Sequence, residues 1–492
     1  SPRQNAHRYL DFPNTTADTL ILYTNCLCPR PRGLPNQPTG VKTIRTANNV
    51  TIHYKEPGKE GVCETTPGVK SYAGYVDSSP QSHTFFWFFE ARHDPMNAPI
   101  TLWLNGGPGS DSLIGLFPEL GPCAINDKFE SYLNQYSWNE VSNMLFLSQP
   151  VGVGFSYAEK SAGSLNPLTG AFEGVDFAGA QGRYPVTNAT SIEVQSLDRK
   201  LWRFFDYFSE QNQKIANGTT GGVQLEFHTL GIINGLIDEA IQAPYYPEFA
   251  RNNTYGIKAV NETIYNYMKF ANGMRNGCQS QIAACKATNR SSLIDYALCS
   301  EATNMCRDNV EYPYYYYSGR GTYDIRHPYK DPTPPRNYLG YLAKDSVLNA
   351  IGVDINYTSS NKEVYYAFQQ TGDWVWPNFI ENLEDVLARP VRVALIYGDA
   401  DYICNWFGGE AISLATNYSH SKEFRTTSYA PFLVDGIEYG MTREYGNLSF
   451  TRIYEAGHEV PYYQPKAALQ IFNRTLNGWE LPAGDRKLDL GQ

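Results

Sequence analysis

Short, uniformly apolar runs recur along the chain, most of them closed by a glycine, an aspartate or an asparagine. Thr51–Tyr54 and His83–Phe89 are rich in aromatic and β-branched residues and read as strands. Pro99–Leu104 is a third run and ends in Asn105-Gly106-Gly107-Pro108-Gly109, so a strand feeds a loop whose backbone can take unusual dihedrals. Asn143–Leu147, stopped by Pro150, is a fourth, and Leu225–Ile233, Val391–Tyr397 and Phe450–Tyr454 continue the series. Strands that are apolar on both faces predict a mostly parallel central sheet covered on both sides, hence an α/β fold. In such sheets chemistry gathers in the loops at the carboxyl ends of the strands.

The pattern changes between about 241 and 370. Ile257–Met268 and Ser291–Cys299 carry helical periodicity, and Gly319-Arg320-Gly321 and Asp331-Pro332-Thr333-Pro334-Pro335 break the region up. The expected organisation is a core in two parts, 1–240 and 371–492, interrupted by a mainly helical cap insertion at 241–370. Residues 1–45 read as irregular and proline-rich, and no internal repeat or low-complexity tract is present.

Composition narrows the function classes. The 492 residues are 42% hydrophobic, 14% aromatic and 18% charged, which excludes a disordered chain. A formal net charge of −10 sets the surface against phosphate backbones, so nucleic acid is not an expected partner. No apolar run approaches the ~18 residues of a membrane span, so no membrane partner is expected either. A start at Ser1, without Met or an apolar leader, reads as a mature, processed form. Asn-x-Ser/Thr triplets stand at eleven places, from Asn14 to Asn473, and predict N-linked glycans and the secretory pathway. Nine cysteines agree. Cys278, Cys285, Cys299 and Cys306 invite a nested pairing, and their spacing is not that of a zinc knuckle. Cys26, Cys28, Cys63 and Cys123 form a second set, which leaves Cys404 over.

Two late strands end in titratable residues, one in Tyr397-Gly398-Asp399-Ala400-Asp401 and one in Ala456-Gly457-His458-Glu459. A carboxylate at one strand end can fix the tautomer of an imidazole at the next and leave its other nitrogen free as a base. Acid before histidine is the chain order of the last two members of an α/β-hydrolase triad. Asp399 is the rival to Asp401, since an acid at a strand end often only caps turn N–H groups.

Trp103-Leu-Asn-Gly-Gly-Pro-Gly109, Glu119-Leu-Gly-Pro-Cys123, Tyr136-Ser-Trp-Asn139 and Gln149-Pro-Val-Gly-Val-Gly-Phe-Ser-Tyr157 resemble the serine carboxypeptidase family. So do Ile233-Asn-Gly-Leu-Ile-Asp238, Tyr323-Asp-Ile-Arg326, Gly398-Asp-Ala-Asp-Tyr-Ile-Cys-Asn405 and Gly457-His-Glu-Val-Pro461, and the fungal secreted branch is the most similar. The resemblance implies an α/β-hydrolase with a disulfide-stapled cap, secreted or alternatively vacuolar, that removes C-terminal residues from peptides at acid pH without a cofactor or metal. It implies that Asp401 orients His458 as general base and that the Gly107 N–H forms half of an oxyanion hole. Asn105 and Glu119 would hold the substrate's terminal carboxylate, and Cys404 would be a free thiol lining the site. A carboxylate receives another carboxylate only when one is protonated, so such binding should weaken as pH rises.

The family's nucleophile sits in a Gly-x-Ser-x-Gly elbow, and Ala158–Ile233, where it belongs, contains none. Ile192–Phe205 runs directly into Asp206–Lys214, as though a strand, the elbow and a first helical turn, on the order of 30 residues, were cut out. Ser110, Ser112, Ser131 and Ser156 lack the strand–turn–helix context of a nucleophile. The expectation is an inactive or nearly inactive chain with a gap in its sheet. The alternatives are an inactive homologue that binds peptide C-termini, and an esterase or acyltransferase on the same fold.

Overall fold

The computed structural model describes residues 37–488, except 47–48, 80–81, 159, 166–171, 175–181, 186–207, 209, 289–291, 332 and 376–378. About half of the interval 158–233 expected to hold the elbow, including 186–207, and Cys26 and Cys28 therefore lie outside the described residues. Strands β1 (Lys42–Arg45), β2 (Thr51–Lys55), β3 (Ser71–Ser79), β4 (Ser82–Phe89), β5 (Ile100–Trp103) and β6 (Asn143–Leu147) form one sheet in the order β1-β2-β3-β4-β6-β5, with Tyr157–Ala158 added beside β4. A second sheet contains β7 (Thr229–Ile233), β8 (Arg392–Gly398), β9 (Ala430–Val434), β10 (Ile437–Tyr445) and β11 (Leu448–Ile453) in the order β7-β8-β11-β10-β9.

Among the described residues parallel pairing occurs only in β5 with β6 and in β8 with β7 and β11. The outer strands pair antiparallel. All seven residues of β8 are buried, as expected of a parallel strand covered on both faces. The strand expected from Leu225 begins only at Thr229. Asn212 takes the backbone of Leu225 instead, accepting from its N–H at 2.8 Å and donating to its carbonyl at 2.5 Å.

Among the described residues β5 pairs only with β6 and β7 only with β8, so each sheet ends on a strand with an open edge. Neither end strand is packed like β8. Ile100 is 69% exposed, and a Cβ on Gly231 would meet nothing within 4 Å. Edge groups left unpaired by the described strands need partners elsewhere. The helix Pro465–Leu476 joins the two sheets: Phe472 stacks on Trp138 at 3.9 Å beside the first, while Ile471 is buried in the core of the second.

The first sheet is organised by aromatic residues. Phe85, Trp87 and Phe89 are fully buried on one face of β4, and each such side chain contributes on the order of 1.5–3 kcal/mol relative to exposure. A second core is helical and contains Cys278, Cys285, Cys299 and Cys306, paired in nested fashion as Cys278–Cys306 and Cys285–Cys299. A third disulfide joins Cys63 and Cys123, and Cys404 is free. The two helices expected from periodicity are present with shifted bounds, because capping fixes their starts. Asn261 accepts from Ile264 N–H at 2.9 Å and begins Glu262–Gly273. Ser292 and Asp295 form a capping box and begin Leu293–Cys306. Among the described residues no helix is long and apolar enough to cross a membrane.

Candidate active site

β8 and β11 run parallel with Gly398 opposite Ile453, so the loops that leave them start at the same level. Gly398 lets these loops touch: a Cβ there would lie 2.2 Å from the carbonyl oxygen of Gly457. Asp401 and His458 meet as a result, with His458 Nδ1 2.8 Å from Asp401 Oδ2. The acid is completely buried and accepts two further hydrogen bonds, from Asn234 Nδ2 at 2.6 Å and from Ile403 N–H at 3.1 Å. The backbone N–H of His458 donates to the Tyr323 carbonyl at 2.8 Å, and the two rings are 5.1 Å apart. Asp399, the rival acid, instead accepts from the Tyr255 hydroxyl.

Burial lowers the affinity of His458 for its proton, but the adjacent Asp401 more than offsets this, with help from Glu459 and Glu119, and raises its pKa to about 9. A histidine pKa raised by folding adds stability that is complete below the ordinary value near 6.5 and disappears as pH rises through about 9. Replacing Asp401 by Asn removes the largest stabilising charge while burial remains. The imidazole pKa should then fall by more than about one unit, which NMR titration of the ring protons measures; an unchanged value would show that the pair is not electrostatically coupled.

Asn105 and Glu119 form the second part of the site. Asn105 Oδ1 accepts from Trp103 Nε1 at 2.7 Å and from Gly115 N–H at 3.0 Å, which fixes which way the amide points. Its NH2 end is thereby left for Glu119, with which it hydrogen-bonds. Gly115 is required for this arrangement, since a Cβ would lie 2.1 Å from Trp103 Nε1 and 2.7 Å from Asn105 Oδ1. Glu119 is 6% exposed, and burial, then the charge of Glu459, push its pKa up to about 8. The charge of His458 acts on it in the opposite sense and favours its ionised form. Gly107 lies exposed in the loop after β5, and its N–H makes no hydrogen bond among the described residues.

Asp401, Cys404 and His458 each offer a ligand atom within 4.8 Å of the others, a grouping that could hold a soft divalent cation. The chemistry of the donors argues against it. Both Asp401 oxygens already accept hydrogen bonds, and burial, then Asp401, push the Cys404 thiol well above its ordinary value, so the thiolate is disfavoured. None of the four serines considered above is hydrogen-bonded to His458. Ser156 accepts from Phe85 N–H at 2.8 Å and donates to the Ser148 carbonyl, while Ser112 accepts from Asn105 N–H at 3.2 Å.

Sequence reasoning did not assign roles to Asn234, Tyr323 or Glu459. Asn234 carried a signal in Ile233-Asn-Gly, because an asparagine before a glycine suits a left-handed backbone, and its φ is 48°. Glu459 stands next to His458 and has a buried oxygen, Oε2, without a hydrogen-bond partner.

Parallel strands that deliver an acid and an imidazole from adjacent carboxyl ends define an α/β-hydrolase. Residues 57–171 and 203–478 match the family described as serine carboxypeptidase, and the chain belongs to it. It is 40% identical to carboxypeptidase S1 homolog B of Arthroderma otae, covering 92% of this chain and 79% of the relative. It is 38% identical to carboxypeptidase S1 homolog A of the same fungus, covering 90% and 78%. These alignments run over 523 and 519 positions, more than the 492 residues of the chain, so within the matched span the relatives carry residues that have no counterpart here. The crystal structure of Kex1Δp, a prohormone-processing carboxypeptidase from Saccharomyces cerevisiae, superposes with a TM-score of 0.61 at 20% identity, covering 86% of this chain and 95% of that one, and so shares the fold.

Proposed function

We propose that this chain is a serine carboxypeptidase homologue that recognises the C-termini of peptides and has lost efficient hydrolysis. One observation carries the reading: β5 and β7 each keep an open edge, and the ring of His458 has a hydrogen-bond partner on one side only among the described residues. A strand delivering a nucleophile would border those edges and bring its hydroxyl to that ring. The interruption of the family match between 171 and 203 falls in the same interval and supports the reading. Asp401 would hold His458, Gly107 would offer one oxyanion N–H, and Cys404 would line the site as an inert thiol. Release of C-terminal residues from a blocked dipeptide at about pH 4–5 should run on the order of 10⁶-fold below an intact relative. Robust turnover that a serine-directed phosphonylating reagent abolishes would overturn the claim and identify the serine.

Recognition of the C-terminus rests on Asn105 and Glu119. Below about pH 8 Glu119 carries its proton and can donate to a peptide carboxylate, while Asn105 supplies an N–H. Above that pH two carboxylates would face each other. Calorimetry should show a peptide acid binding more tightly than its amide at pH 5, with affinity falling about tenfold per pH unit beyond pH 8. Equal affinity for acid and amide would remove the idea. The three disulfides and the sequons fit passage through the secretory pathway to a secreted or vacuolar destination.

A further inference from the structure

A cavity of about 580 Å³, lined by neither Asp401 nor His458, opens where β8 and β11 end. Its walls include Asp399, which follows β8, Arg452 of β11, Tyr255, Glu438 and Tyr454. Arg452 has an unusual environment for a charged side chain. Its guanidinium is 4.4 Å from the ring centroid of Trp406 and 5.0 Å from that of Tyr454, yet it makes no hydrogen bond or ion pair among the described residues. Its Nε is buried and unsatisfied. Asp399 is 3% exposed and accepts from the Tyr255 hydroxyl through Oδ1, while Oδ2 has no donor among the described residues. Asp399 directly follows β8 and Arg452 lies on the neighbouring β11, opposite Tyr397; no hydrogen bond or ion pair joins them among the described residues, although the Arg452 charge partly offsets the upward push of burial on the Asp399 pKa. Glu438 lies on the acidic side and accepts from the Tyr454 hydroxyl at 3.1 Å.

An arginine fork without a hydrogen-bond partner among the described residues, and a buried carboxylate held by a single tyrosine hydroxyl, leave polar groups around one cavity that gain from a ligand meeting both. A ligand with a carboxylate at one end and an ammonium at the other does so. The fork matches a carboxylate in bidentate fashion, and Asp399 with Glu438 matches the ammonium. The tyrosine rings leave an apolar wall for a side chain. We propose that this cavity binds a free α-amino acid as its zwitterion, at a site separate from the one containing His458. The proposal does not depend on whether the chain hydrolyses peptides.

Calorimetry on the intact chain with leucine, leucinamide and N-acetyl-leucine tests it. Leucine should bind, and each blocked analogue should bind at least about tenfold more weakly, because each loses one charged partner. Arg452→Met, which keeps an unbranched side chain against Trp406, and Asp399→Asn should each weaken leucine by at least about tenfold. Arg452→Lys, which keeps the charge and loses the fork, should also weaken it and serves if the Met variant does not fold. A peptide acid saturating the Asn105–Glu119 site should leave leucine binding unchanged, which separates this proposal from the one above. No leucine binding up to about 10 mM, equal binding of N-acetyl-leucine, or unchanged affinity in folded Arg452 variants would each overturn it.

Discussion

Inserting the strand, elbow and following helical turn of a fungal carboxypeptidase S1 relative between Phe205 and Asp206 should raise release of C-terminal residues by at least about 10⁴-fold over the parent chain. The magnitude follows from what is already in place. Asp401 and His458 are hydrogen-bonded at 2.8 Å, and Asn105 is oriented by Trp103 and Gly115. In a related constellation the loss of the serine alone costs about 2 × 10⁶ in kcat, so restoring it in a preformed site should recover a large part of that factor. The same insert with its serine changed to alanine is the control, and it should stay at the parent's rate. Both inserts should also raise the melting temperature, because β5 and β7 acquire a neighbour. An insert that folds, raises the melting temperature and remains inactive with its serine present would refute the view that only the nucleophile segment is missing.

Arg392→Met should destabilise the protein by about 3–5 kcal/mol, read from the urea midpoint. Arg392 is 1% exposed on β8, the strand that delivers Asp401. It donates to the carbonyls of Arg474 and Thr475 at 2.7 and 3.3 Å and to Glu444 at 2.5 Å. Its guanidinium thus ties β8 to the end of the helix that joins the two sheets. Methionine fills much of the space but leaves the buried Glu444 without its countercharge, holding only the Leu481 N–H at 2.9 Å, and takes one donor each from the Arg474 and Thr475 carbonyls. Adding Glu444→Gln should return part of the loss, because the orphaned charge is gone. A single variant that costs less than about 1 kcal/mol would show that Glu444 is relieved by water.

The strands were readable because β4, β6, β8 and β11 are short, apolar and bounded by turn residues, and each appears within a few positions of the run that announced it. The nested pairing of the four helical-core cysteines followed the spacing that suggested it. Helix starts were less legible, since periodicity near Ile257 cannot reveal that the Asn261 side chain will cap four residues later. Strand direction was only partly legible. β4 has the same composition as a buried parallel strand, but its neighbours β3 and β6 run antiparallel to it, and pairing partners are a property of the whole chain. In the site, the Asp401–His458 contact was anticipated from two strand ends, and the rivalry with Asp399 ended only when Tyr255 appeared as that residue's partner. Asn234 lies 167 positions before the acid it supports, a separation that local pattern does not bridge.

The nested cross-links have a practical consequence when a protease cuts the segment they enclose. Cys285–Cys299 is enclosed by Cys278–Cys306, so one cut anywhere between residues 286 and 298 leaves the two fragments tethered at two points. The nicked molecule would migrate as one species on a non-reducing gel and separate into two only after a thiol reductant is added.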